Sequence, residues 1–247
     1  MRLKDIGEFG LIEKITSETL FDKRSVITGI GDDAAVLLPA RDSYQLLATD
    51  MLVEEVHFSL STTTARQLGY KAVAVNLSDI AAMGGLPRHI VVSLALPAKL
   101  PVEFVAGLYD GMRDICREFG INIVGGDTVA SRHDLIINIA VVGEVEPLLL
   151  KRRCGARIGD VVAVTGTLGD SGAGLDLLQQ NKAGEFDFAG KLTERHLTPR
   201  PPLTAGRRIA AAGATSMEDI SDGLARESNE IAEASGVQVR LRAADIP

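Results

Sequence analysis

The chain has 247 residues, 46% of them hydrophobic, with 26 Lys and Arg against 33 Asp and Glu, a formal net charge of -7. That is enough apolar material for one large or two modest domains, and the acidic balance with 4% aromatic residues and no Trp argues against a nucleic-acid surface. No run reaches the roughly 18 apolar residues of a membrane span, and Met1-Arg2-Leu3-Lys4-Asp5 lacks a signal-peptide core, so a cytoplasmic protein is expected.

Residues 8 to 20 read as a helix. Ala34-Ala35-Val36-Leu37-Leu38 and Gln45-Leu46-Leu47-Ala48 read as short strands around Pro39, the second ending at Thr49-Asp50. From Ala65 to Met83 the positions Leu68, Ala72, Val75, Asp79 and Ala82 follow steps of four and three, the period of one helical face. Asp79 is therefore expected among apolar neighbours. A strand over His89 to Leu96 precedes a helix from Pro101 to Phe119, with Pro at its start and Gly120 just past its end, as capping favours. Ile121 to Val124 reads as a strand running into a Gly125-Gly126-Asp127 turn, and Leu135 to Val145 as a long apolar strand.

Pro147 and the basic run Lys151-Arg152-Arg153, able to contact a single phosphate group, mark an expected boundary between domains 1–147 and 148–247. The pattern restarts with a strand at 160–164, a glycine turn and a helix from Ser171 to Gln180, with Ser171 as its N-cap. A loop at 181–190, a short helix, a Pro199 to Pro202 break and helices at 203–212 and 224–234 follow, and Val237 to Leu241 reads as a closing strand. Strands and helices mix without strict alternation, which predicts a mixed α/β fold in two domains. Cys116 and Cys154 stand 38 positions apart with no second thiol near either, so free thiols are expected.

The chemistry concentrates in aspartates beside glycine or apolar residues: Gly31-Asp32-Asp33, Thr49-Asp50, Asn76-Leu77-Ser78-Asp79, Gly125-Gly126-Asp127 and Asp219-Ile220-Ser221-Asp222-Gly223. Any one of them could cap a helix or shape a turn. Together they raise a desolvation problem, since two carboxylates about 4 Å apart repel by roughly 4 kcal/mol at an effective dielectric near 20. Oxygen ligands without His or Cys select hard cations such as Mg2+ or Ca2+, and Mg2+ bridges carboxylates to a substrate's phosphates. Gly29-Ile30-Gly31-Asp32-Asp33-Ala34 formally fits a dinucleotide loop, but a strand follows it where a helix is needed, and its acids would repel phosphates. There is no P-loop, and Gly169-Asp170-Ser171-Gly172-Ala173 misses the last glycine of a nucleophile elbow.

These motifs resemble those of the thiamine-monophosphate kinase family: Gly-Ile-Gly-Asp-Asp-Ala-Ala at 29–35, Thr-Asp-Met-Leu-Val at 49–53 with His57-Phe58, and Lys-Ala-Val-Ala-Val-Asn-Leu-Ser-Asp-Ile-Ala-Ala-Met-Gly at 71–84. Gly-Gly-Asp-Thr at 125–128, Val-Thr-Gly-Thr-Leu-Gly-Asp-Ser at 164–171 and Asp-Ile-Ser-Asp-Gly-Leu at 219–224 continue the match along the chain. The resemblance implies a two-domain fold like that of aminoimidazole ribonucleotide synthetase. It also implies direct in-line transfer of the ATP γ-phosphoryl group to thiamine monophosphate, several Mg2+ ions and a homodimer joined through its N-terminal domains. It implies magnesium ligands at Asp33, Thr49, Asp50, Asp79, Asp127, Asp219 and Asp222, with Ala48 through its backbone. Asp50, Asp79 and Asp127 would be catalytic through metal, His57 would contact the thiamine phosphate, and Tyr109, Gly126, Asp127, Arg153 and Ser221 would hold the nucleotide.

The family's pattern continues into a Ser-Gly-Gly-Glu-Asp-Tyr-Glu-like segment and a later aromatic residue, neither present here, so the C-terminal domain is expected to be incomplete relative to the family. Two other readings use the same acids. A sibling ATP-dependent synthetase would act on another acceptor, which the 49–58 segment disfavours. A Ca2+-binding module would need no ATP, and no EF-hand spacing supports it.

Overall fold

A computed structural model describes residues 26–28, 32, 35–37 and 42–247. The helix expected at 8–20, Asp33 and most of its glycine motif lie outside them. Six strands form one sheet: β1 (Val26–Thr28), β2 (Ala35–Leu37), β3 (Tyr44–Val53), β4 (Leu86–Pro97), β5 (Asn122–Ser131) and β6 (Ile136–Val145), in the order β1-β2-β3-β6-β4-β5. Neighbours are antiparallel except β4 and β5, which are parallel and therefore joined by a helical crossover. Helix α1 (Ala65–Ala82) links β3 to β4, and α2 (Val102–Phe119) links β4 to β5.

Local chemistry sets the ends of both helices. Thr64 caps α1 by accepting the Gln67 amide at 3.3 Å, while Gln67 Oε1 accepts the Thr64 amide at 3.0 Å, a reciprocal box that satisfies two orphan donors. Helix α2 starts after Pro101 and stops at Gly120, whose left-handed backbone (φ 68°) costs glycine nothing. The two helices approach backbone to backbone: a Cβ at Gly69 would run into the Leu108 carbonyl, and one at Gly111 into that of Arg66.

Alternation along the strands sends Leu46, Ala48 and Leu52 of β3, Ile90, Val92 and Leu94 of β4, and Ile137, Ile139 and Val141 of β6 toward these helices. They close on Leu68, Val73, Leu77 and Ile80 of α1 and Leu108, Met112 and Ile115 of α2, all buried. Each such side chain contributes about 1.5–3 kcal/mol of burial. Among the described residues no helix covers the opposite face of the sheet, where Leu47, Met51, Val91 and Val129 are exposed.

The regular elements after β6 are all helices: α3 (Asp170–Gln179), α4 (Ala189–Leu197), α5 (Leu203–Ala211), α6 (Leu224–Ser235) and a 3-10 turn at Ala243–Asp245. Two expected strands are absent. Residues 160–164 and 237–241 form no regular element and have no strand neighbour among the described residues, and Val161 is 91% exposed. An apolar run alone does not make a strand, because the ladder needs a second edge to take its amides. The expected 121–124 strand is longer, running through Gly125-Gly126-Asp127 to Ser131, because β4 offers it a continuous parallel edge. The N-cap of α3 is Gly169 in a left-handed conformation, so Ser171 lies inside the helix. Both cysteines are free, and burial pushes the Cys116 thiol up to about 11.

Candidate active site

The site begins at Asp50. It is an even-numbered position of β3 and so shares a face with Leu46, Ala48 and Leu52, turned toward α1. There its backbone amide donates to Asn76 Oδ1 at 3.0 Å, while Asn76 Nδ2 donates to the Ala72 carbonyl at 3.0 Å. Asn76 is fully buried, and both halves of its amide are used, which is what allows a polar side chain at that depth. This bond ties the middle of β3 to the C-terminal half of α1.

Two residues beyond Asn76, Ser78 donates a side-chain hydrogen bond to Asp219, which the chain returns from more than a hundred residues downstream. Burial pushes the Asp50 carboxyl above its ordinary range and the Asp219 charge adds to this, with His57 acting in the opposite sense. Asp219 is also raised, chiefly by burial; the Ser78 hydrogen bond and Arg153 oppose the shift, and Glu227 reinforces it. Asp50, Asp219, Ser78 and His57 thus share one electrostatic neighbourhood. His57 stands on the turn after β3, its Nδ1 accepting the Val53 amide at 3.1 Å.

The 219–222 segment is held by a buried carboxylate. Glu227, in the first turn of α6, is 5% exposed; its Oε1 accepts the Asp222 amide at 2.8 Å and the Ser221 hydroxyl at 3.5 Å. Asp222 pairs with Arg226 at 2.7 Å. Arg153 is gripped by Glu218 at 2.7 Å and Glu230 at 2.9 Å, and its carbonyl accepts the hydroxyls of Ser216 and Ser235, each at 2.7 Å. Asp219 is therefore delivered to α1 by polar ties running through Arg153.

The remaining expected residues are spread more widely. Asp79 follows Ser78 in the last turn of α1, partly buried at the edge of a core face formed by Leu68, Ala72, Val73, Asn76, Leu77 and Ile80. Cross-strand register puts Asp50 in a row with Ile139, Val92 and Gly126, facing the helices. The next row, Met51, Asn138, Ser93 and Asp127, belongs to the open face, as does Thr49, whose hydroxyl donates to the Ile139 carbonyl at 2.9 Å and accepts from Asn138 Nδ2 at 2.9 Å. Asp127 is exposed and accepts the Thr128 amide at 2.8 Å. Ala48 is buried under α1, and Tyr109 is partly buried against the core. Asn76, Ser78 and Glu227 received no role from the sequence; a lone Asn within the apolar run 72–77 was the one visible signal.

Among the described residues no three His, Cys, Asp or Glu side chains cluster closely enough to hold a metal by themselves. Asp50 and Asp219 nonetheless fit a divalent cation of the Mg2+ kind, since both are partly buried, like-charged and raised in pKa, the condition a cation relieves. Mg2+ completes its shell with waters and substrate oxygens, so two protein carboxylates suffice.

Residues 31–145 match the family model of AIR synthase related protein, N-terminal domain, and residues 157–247 match that of its C-terminal domain. The thiamine-monophosphate kinase of Bacillus subtilis is 40% identical over 247 residues, covering 98% of this chain and 75% of that protein. That of Aquifex aeolicus is 40% identical, covering 100% of this chain and 77% of its own length. A solved structure described as AaThiL complexed with AMPPCP and TMP superposes with a TM-score of 0.86 at 41% identity, covering 96% of this chain and 72% of that one. The crystal structure of thiamine-monophosphate kinase from Stenotrophomonas maltophilia gives 0.74 at 35% identity, covering 94% and 73%.

Proposed function

The chain belongs to the thiamine-monophosphate kinase family, and we propose that it transfers the γ-phosphoryl group of ATP to the phosphate of thiamine monophosphate, giving thiamine diphosphate and ADP. The observation that carries this reading is the meeting of Asp50, Asp219 and Ser78 where β3, α1 and the 219–222 segment converge, in a chain whose relatives bear that name. One bond forms, from an acceptor phosphate oxygen to the γ-phosphorus, and one breaks, to the β,γ-bridging oxygen. The acceptor is already an anion at neutral pH, so positioning and charge compensation carry the rate and no strong base is required.

Mg2+, when bound, would neutralise charge on the phosphates. Asp50 and Asp219 are the side chains we assign to it, with Asp33, Asp79, Asp127, Asp222, Thr49 and the Ala48 carbonyl as further ligands of several ions. His57, beside Asp50, is assigned to the acceptor phosphate. Tyr109, Gly126, Asp127, Arg153 and Ser221 are assigned to the nucleotide; Arg153 would serve mainly through its grip on Glu218 and Glu230.

The division into domains 1–147 and 148–247 is part of the same reading, supported by the gap between the two family matches. So is a homodimer, supported by the sheet face that no described helix covers, where Leu47, Met51, Val91 and Val129 are 41, 53, 39 and 52% exposed on a surface that a second copy would cover. We assign it to the cytoplasm, where ATP is available; no helix among the described residues is long and apolar enough to cross a membrane.

The test is a coupled assay of the purified chain with ATP, Mg2+ and thiamine monophosphate, reading thiamine diphosphate and ADP together. Equimolar products that require both substrates are expected. ADP release that ignores thiamine monophosphate would sink the acceptor assignment.

A further inference from the structure

A second polar cluster sits on α1, two turns before the carboxylates. Lys71 Nζ lies 3.3 Å from His196 Nε2 on α4, and His196 Nδ1 lies 3.1 Å from Ser171 Oγ on α3. Lys71 is partly buried, its desolvation pushes its pKa down, and among the described residues no carboxylate pairs with it. A desolvated ammonium whose polar neighbour is an imidazole is an uncompensated positive charge.

The geometry fixes the direction of the hydrogen bonds. An ammonium has no acceptor, so Lys71 donates to Nε2; the imidazole proton is then on Nδ1 and is donated to Ser171 Oγ. Burial, with Lys71 reinforcing it, pushes His196 down to about 4, so it stays neutral. The serine consequently accepts from the histidine and is not activated by it as a nucleophile. What remains free is its own O–H and two N–H bonds of Lys71, a set of donors carrying a net positive charge and suited to an oxyanion.

Position supplies the rest. Residues 71 and 78 are seven apart, so they lie on one face of α1 about 10 Å apart along its axis. Ser78 is the residue hydrogen-bonded to Asp219. Positive and negative groups thus follow one another along a single helix face, with α3 and α4 lying over the positive end.

We propose that Lys71, Ser171 and His196 form a phosphate subsite that binds an oxyanion of a phosphate ester or polyphosphate whose other end lies at the Asp50–Asp219 carboxylates. Lys71 and Ser171 donate to the anion, and His196 orients both. This rests on the kinase reading, and the phosphate could belong to the nucleotide or to the acceptor.

The experiment measures binding of a non-hydrolysable ATP analogue and of thiamine monophosphate separately, by calorimetry, in the wild type and in Lys71→Met, Lys71→Arg and Ser171→Ala, with thermal melts of each. Lys71→Met is expected to lose about tenfold or more in affinity for one ligand and little for the other, the scale of a hydrogen bond to a charged group. Ser171→Ala should weaken the same ligand, and Lys71→Arg should recover part of the loss. The ligand affected identifies the source of the phosphate. Wild-type affinity for both ligands in Lys71→Met would overturn the subsite, and so would losses that track a lowered melting temperature and are not recovered by Lys71→Arg. Wild-type turnover is measured alongside: a wild type without kinase activity defeats the kinase reading, whereas an active wild type with unaltered binding in Lys71→Met defeats the subsite alone.

Discussion

The two parts of this molecule are held together by different forces. Up to Val145, the sheet and its two helices enclose fully buried Leu46, Leu77, Ile80, Met112 and Ile139, and Asp50 is positioned by that packing. After residue 150, buried side chains thin out to Ala189, Leu197, Pro201, Leu203, Ala210 and Glu227, and the geometry depends on ion pairs and hydroxyls around Arg153. One carboxylate of the site is thus set in a dense apolar frame and the other is held by polar ties. Packing resists displacement because every shift opens a void, whereas charged ties hold position only while each partner remains in place.

The largest effect should come from removing charge at the meeting point. Asp50→Asn and Asp219→Asn are each expected to lower kinase turnover at least about a hundredfold, on the scale of lost electrostatic stabilisation of a reacting group. The metal-free variants should melt at or above the wild-type temperature, because both carboxyls are destabilised by burial. A melt lowered by several degrees in either variant would show that the carboxylate is structural.

Next come substitutions that set the two kinds of support against each other. Leu77→Ala should cost about 2–5 kcal/mol across the packed layer, as large-to-small changes in cores do. Arg153→Met removes the cation paired with Glu218, whose side chain is 2% exposed, and should cost about 2 kcal/mol after allowance for the partly exposed arginine. Hydrogen exchange separates them. Leu77→Ala should loosen β3, α1 and β6 together, and Arg153→Met only the region from 213 to 235. Equal loosening of β6 in both variants would erase the distinction.

The smallest effect is a pH slope. His196 is depressed from its ordinary 6.5 to about 4, so the unfolded chain takes up a proton that the folded one refuses. Its contribution is complete above pH 6.5 and is lost as pH falls toward 4, by under about 1 kcal/mol because the ring is only half-buried. Melting temperature should decline over that window in the wild type and decline less in His196→Gln; parallel curves would remove His196 as the cause.

How much of this was legible in the sequence follows from the same contrast. The helices at 65–82 and 102–119 announced themselves through apolar period and capping, because local propensity and core packing agree there. Residues 160–164 and 237–241 carried equally strong strand signals, but a strand is a relation between two segments and neither has its second among the described residues. The aspartate motifs pointed to the neighbourhood of the site, yet the parity of β3 and β5 divides them, Asp50 toward the helices and Asp127 toward the open face. The Asn76–Asp50, Ser78–Asp219 and Lys71–His196 contacts are pairings across the fold, from 26 to 141 positions apart, that no local pattern encodes.

Because Gly69 and Gly111 seat α1 against α2 backbone to backbone, α1 cannot slide or roll, and it becomes a ruler. Its graduations are Lys71 and Ser78, and the gap between them is fixed in residues, not in adjustable side chains. Adding or deleting one residue between them would swing Ser78 by about 100° around the axis, away from Asp219 and out of line with Lys71. Substitutions along that interval can be absorbed one at a time, but its length cannot change.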